Sequence, residues 1–140
     1  MNTVLTEELL HTLLEADTVE TVSDMSCFTA PSLSDLLNQL LVEKGLRRVD
    51  VIHEARINDT FGYQIFTGQR NPSRDKVLAL ACALGCDVKE TSRLLQAAGV
   101  NNLYPKKRRD AIILFCLSKH MVLQEIEDEL YRLGEDTICS

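Results

Sequence analysis

The chain has 140 residues, 45% apolar and 26% charged, with a formal net charge of −6, which suits one globular domain with a real core and modest extensions. No apolar run approaches the roughly 18 residues of a membrane crossing, and the opening "MNTVLTEELL" is acidic rather than basic. Neither a membrane partner nor a targeting peptide is therefore expected, and a cytoplasmic location is.

The charge is uneven: −6 over residues 1–32, +1 over 33–74 and −1 over 75–140. An acidic whole does not invite DNA, but the middle of the chain is free of that excess. Five scattered cysteines (Cys27, Cys82, Cys86, Cys116, Cys139) form no Cys-x-x-Cys pair, and His11, His53 and His120 lie far apart. These read as free apolar thiols and isolated imidazoles, so no metal and no cofactor is expected.

Every periodic stretch is helical. Leu5, Leu9, Leu10, Leu13 and Leu14 form one stripe at helical spacing, and the acidic "ADTVETVSDMSCFTAPS" that follows reads as a linker, with Thr18, Thr21 and Ser23 as possible phosphorylation sites. Residues 1–31 are thus expected to be an amphipathic helix and linker. Ser32 and Asp35 form a capping-box pair ahead of a stripe at Leu33, Leu36, Leu37, Leu40 and Leu41, and Gly45 ends that helix. Short helices are expected over 49–55 and 59–66. Ser73 starts a fourth, stopped at Gly85, and Asp87 with Glu90 starts a fifth, stopped at Gly99. A sixth is expected from Lys106 to about His120 and a seventh from Leu123 to Leu133, with Glu125, Glu127, Asp128 and Glu129 on its surface. With no period-two alternation, the fold class is all-α.

The segments "LLNQLLVEKGL", "VDVIHEARINDTFGYQIFTGQRNPSRDKVLALACALG" and "TSRLLQAAG" together resemble the lambda-repressor-like (Xre/Cro) helix-turn-helix family. The resemblance covers residues 33–99, about half the chain. It implies a five-helix DNA-binding domain at 32–99, flanked by the N-terminal helix and by a C-terminal helical hairpin over 100–140. Val51, Ala55, Ile57 and Ile65 would be core. Asn58 would cap the recognition helix at about 59–66, which would lie in the major groove of double-stranded DNA. Asp59, Thr60, Tyr63, Gln64 and Thr67 would form the exposed face. Gln69, Arg70, Asn71 and Arg74 would lie against the phosphate backbone, joined by Arg47 or Arg48. The side-chain chemistry suits those roles, since Gln64 carries the paired donor and acceptor that match adenine and arginine binds phosphate. The family also implies a homodimer on inverted half-sites.

The sequence departs from the family pattern at three positions. Arg56 stands where glycine is usual in the turn, Ile52 where a small alanine is usual, and Gly62 where an aliphatic is usual. Ile52 is expected to fill the space that Gly62 vacates, because total core volume is what tolerates substitution. Arg56 either accepts a left-handed backbone, at about 1 kcal/mol relative to glycine, or the turn takes another form.

Asp59 is expected to cap the helix start, and Phe61 to be core with Tyr63 exposed, since two residues two apart cannot share a buried face. The run "KKRR" (Lys106, Lys107, Arg108, Arg109) opposes the macrodipole at a helix start. It reads as a surface cluster paired with the acids at 125–129, or as a secondary phosphate contact. With no phosphate loop, catalytic constellation or paired carboxylates, the chain is not expected to be an enzyme. The expected function is a sequence-specific transcriptional regulator. The alternative is a non-enzymatic adaptor or inhibitor that keeps the frame and engages a protein through it, the N-terminal helix or the hairpin.

Overall fold

The computed structural model describes residues 30–139 together with His11, Leu14 and Glu15. Most of the expected leucine stripe and the acidic linker, including Thr18, Thr21 and Ser23, therefore lie outside the described residues. Leu14 is exposed, and His11 and Glu15 pair one helical turn apart at 3.2 Å. The chain divides into two units at Pro31/Ser32.

From Ser32 onward the described residues form seven helices and no strand: α1 (Leu33–Lys44), α2 (Arg48–Glu54), α3 (Asp59–Phe66), α4 (Arg74–Ala83), α5 (Val88–Ala97), α6 (Arg108–Ser118) and α7 (Leu123–Arg132). None is long and apolar enough to cross a membrane. The helix starts follow from caps. Ser32 Oγ accepts from Asp35 N while the Asp35 carboxylate accepts from Ser32 N, and Asp87 and Glu90 do the same for α5. Ser73 Oγ accepts from Lys76 N at the head of α4. Each reciprocal pair satisfies two backbone donors that the first turn leaves without a partner.

The middle of α4, Val77 to Ala81, is buried at five consecutive positions. A helix buried all round must be central, and α4 packs against α2, α5 and α7. α3 packs on α1 and α2, α5 on α1 and α6, and α6 on α7. One apolar cluster runs from Leu37 and Ile65 through Leu78 and Leu94 to Ile113, Ile126 and Leu130. Residues 100–139 therefore complete the same core as residues 32–99.

α6 is shorter than the expected span from Lys106 to His120. Its start is delayed because Lys107 N donates to Tyr104 O at 3.0 Å, closing a turn over Pro105. Its end is fixed by His120, a non-glycine residue in left-handed backbone (φ 55), after which Met121 N returns to Cys116 O at 3.1 Å. A second correction concerns α7. Glu127, expected on its solvated surface, is 5% exposed.

Candidate nucleic-acid interface

The α2–α3 pair is held by a volume exchange between Ile52 and Gly62. Ile52 is buried, and a Cβ at Gly62 would stand 2.6 Å from Ile52 Cγ2 and 2.8 Å from Cγ1. That is far inside van der Waals contact, so the branched side chain occupies the space that a larger residue at 62 would need. The turn between the helices is left-handed at Arg56 (φ 58), and Ile57 N closes it on Ile52 O at 3.2 Å.

Both ends of α3 are fixed. Asn58, in extended backbone, caps the start with Oδ1, which accepts from Thr60 N at 3.0 Å and Phe61 N at 3.2 Å. Asp59 is therefore not the cap. It is the first helical residue, and its carboxylate instead hydrogen-bonds His53 Nε2 at 2.7 Å while still facing the positive end of the helix dipole. At the other end, Asn38 of α1 donates its side-chain amide to Phe66 O at 2.8 Å.

The outward side of α3 carries Thr60, Tyr63 and Thr67, all exposed, and Gln64, half-buried. The Thr67 hydroxyl turns back to Tyr63 O and Gln64 O, and Gln69 Nε2 donates to it at 3.0 Å. Phe61 is half-buried against the core and Tyr63 is exposed, as their spacing requires. Three cations bracket this side. Arg48 stacks over the Tyr63 ring at 4.7 Å, while Lys76 and Arg70 lie 5.7 and 6.0 Å from the Phe61 ring centre. Among the described residues, none of the three has an acidic partner. Asn71 in the following loop is exposed.

Arg47 and Arg74 are committed elsewhere. Arg47 chelates Asp50 at 2.9 and 3.2 Å; that hydrogen bond raises the guanidinium pKa and holds the carboxyl below its usual range. Arg74 points inward. It donates to both oxygens of buried Asp110, at 2.8 and 3.2 Å, and to the carbonyls of Asn101 and Asn102. Burial alone would push Asp110 up, but Arg74 and the Tyr104 N–H outweigh it and hold the carboxyl below the ordinary range.

The basic run divides in two. Lys106 and Lys107 are exposed. Arg108 pairs with Glu135 at 2.9 Å and Arg109 with Asp75 at 3.0 Å, so neither meets the acids at 125–129. Those acids are spoken for: Glu129 pairs with Arg132, Glu125 accepts from Val122 N, Asp128 accepts from Gln124 Nε2, and Glu127 points into the protein.

Burial, more than any neighbour, pushes the Cys82 and Cys86 thiols up to about 12. Both stay protonated at neutral pH and are poor nucleophiles and ligands. Among the described residues no cluster of His, Cys, Asp or Glu is arranged to hold a metal.

Lys76 and Asp110 were not singled out from sequence and Glu127 was expected on the surface, yet each carries a signal. Lys76 opposes the dipole in the first turn of α4, just as the 106–109 run does in α6. Asp110 falls in register with Ile113 and Leu117, and Glu127 with Leu123, Ile126 and Leu130. Both carboxylates therefore sit on the buried stripe of their helices. No family model, curated protein or solved structure matches this chain.

Proposed function

We propose that α1–α5 form a lambda-repressor-like domain that binds double-stranded DNA in sequence-specific fashion, with α3 in the major groove and the protein acting as a transcriptional regulator. The observation that carries this reading is the placement of three cations around α3. Among the described residues Arg48, Arg70 and Lys76 flank α3 on aromatic rings without acidic partners, whereas Arg47, Arg74, Arg108 and Arg109 are each paired with a carboxylate. Cations left available beside an exposed polar helix face, whose one charge is Asp59 at its start, suit phosphates along the walls of a groove. Arg48, Arg70 and Lys76 would hold the backbone, Thr60, Tyr63 and Gln64 would read bases, and Asn58, Gln69 and Asn71 would border the phosphates. Arg74 drops out of the contact set. A homodimer would set two copies of α3 about one helical turn of DNA apart.

A second reading is favoured by one observation, namely that Asp59 places a carboxylate at the entering end of an α3 that has no lysine or arginine. In that reading the frame engages a protein instead, through the Tyr63 face. Titration of random duplex DNA across a salt series separates the two. Three phosphate contacts predict a log–log slope of about −2.7, and Arg70→Ala should reduce its magnitude by about 1. Absence of binding at low salt would sink the DNA reading in favour of the adaptor.

A further inference from the structure

The α2–α3 turn is tied to a part of the chain more than sixty residues away. Arg56, in the left-handed turn, hydrogen-bonds Gln124 of α7 and stands 4.0 Å from the Glu127 carboxylate. Glu127 in turn holds the segment after α7: Oε1 accepts from Ile138 N at 2.6 Å and Oε2 from Cys139 N at 3.0 Å. Ile138 is buried, and Cys139 Sγ donates to Ala55 O, the carbonyl that precedes Arg56, at 3.7 Å. Arg109 fastens the same segment from α6 through Asp136 O at 2.9 Å and Thr137 O at 3.2 Å, while its other arm reaches Asp75 in the first turn of α4.

These contacts explain a residue choice that the local backbone does not. Glycine is the least strained occupant of a left-handed position, and arginine there costs stability. Arginine supplies what glycine lacks, a donor long enough to reach α7. The buried Glu127 likewise makes sense only with its two amide donors and the guanidinium beside it, since a lone buried carboxylate is strongly disfavoured.

We propose that residues 136–139 are a latch on the α2–α3 turn, with Glu127 as its keeper and Arg56 as the positioning residue that transmits it. Seating the latch fixes the angle at which α3 leaves the turn. Lifting it loosens the turn and weakens whatever α3 binds. The latch would let a partner that captures this segment control the α3 face from the far side of α7. Its effect on DNA rests on the function proposed above; its effect on the turn does not.

The experiment compares site-resolved amide hydrogen exchange in the full chain and in Ile138→Asp, which drives a charge into the seat. The Ala55, Arg56 and Ile57 amides, each hydrogen-bonded to α2 carbonyls, should exchange about tenfold faster or more, whereas Leu80 and Leu94 in the core should change by less than about twofold. Ile138→Val should restore protection of the turn. Arg56→Gly relieves the backbone and cuts the tether, and should speed exchange at Cys139. It alone decides the matter if Ile138→Asp also exposes Leu80. Unchanged turn amides in a folded Ile138→Asp, or unchanged Cys139 exchange in Arg56→Gly, overturn the latch. Random duplex DNA is titrated against the same proteins, with weaker binding expected for Ile138→Asp. If the parent chain binds no DNA at low salt, the functional reading fails while the exchange result still decides the latch.

Discussion

The α2–α3 and α6–α7 pairs are both two helices joined by a short turn with a non-glycine residue in left-handed backbone, Arg56 in one and His120 in the other. They are fixed by different forces. The first depends on apolar volume, with Ile52 filling the space beside Gly62. The second is anchored through buried carboxylates, Asp110 on Arg74 and Glu127 on the backbone of residues 138–139. An apolar fit degrades gradually as atoms are removed. A buried charge fails sharply, because deleting one partner strands the other without water or a counter-charge. The hairpin should therefore be the more sensitive of the two to a single polar change.

The largest effect is expected at Asp110→Asn. It leaves the Arg74 guanidinium, about three-quarters buried, without its counter-ion, and a loss of about 3–5 kcal/mol follows from breaking a buried pair on one side. Because the folded pKa of Asp110 is depressed, its contribution is complete above the unfolded carboxyl value of about 3.9 and disappears as the pH falls through the lower folded value. Urea midpoints of the parent and Asp110→Asn should thus lie far apart at pH 7 and draw together as the pH falls below about 3.9. A gap that stays constant over that range would show that shape, not charge, anchors α6.

Next comes Ile52→Ala, with an expected loss of about 2–5 kcal/mol for a filled core site. Gly62→Ala should cost about 1–3 kcal/mol, because its new methyl meets Ile52 at under 3 Å. The double variant sharpens the comparison. The alanine methyl at 62 occupies part of the hole left at 52, so the pair should be less destabilised than the sum of the singles, by about 0.5–3 kcal/mol of coupling. Strict additivity in a double-mutant cycle would refute the volume exchange.

The same contrast explains which features were legible in the sequence. Apolar spacing and caps placed α3 at 59–66, the start of α4 at Ser73 and that of α5 at Asp87, since each signal is local and repeats every turn. The complementary sizes of Ile52 and Gly62 were legible because each departs from what the family resemblance leads one to expect at its position. Partners of charges were not legible. Arg74 and Asp110 are 36 residues apart, and Arg109 and Asp75 are 34 apart, so nothing local says which carboxylate meets which cation. Glu127 was masked by its neighbours, for among four acids in five positions the one in register with Ile126 and Leu130 looks like the rest. Around α3 the consequence is that Arg74, expected to face outward, is bonded inward, while Lys76, not expected there, lies beside the Phe61 ring.

The smallest effect separates the two turns themselves. His120 and Arg56 have nearly the same φ, 55 and 58, and the strain relative to glycine is about 1 kcal/mol in each. His120 is exposed and makes no side-chain hydrogen bond or ion pair among the described residues, so His120→Gly removes strain and little else. Glycine also gives the unfolded chain more freedom, which offsets part of the gain. A net stabilisation of a few tenths to about 1 kcal/mol is expected for the α6–α7 turn, read as a higher urea midpoint with an unchanged slope. Arg56→Gly relieves the same backbone but severs the link to Gln124 and leaves Glu127 without its nearby cation. It should fall short of His120→Gly and is expected to be destabilising outright. Were both glycine variants stabilised alike, Arg56 would be no more than a tolerated blemish in a turn. A difference in sign between two residues of the same backbone geometry isolates the side chain as the reason arginine stands there.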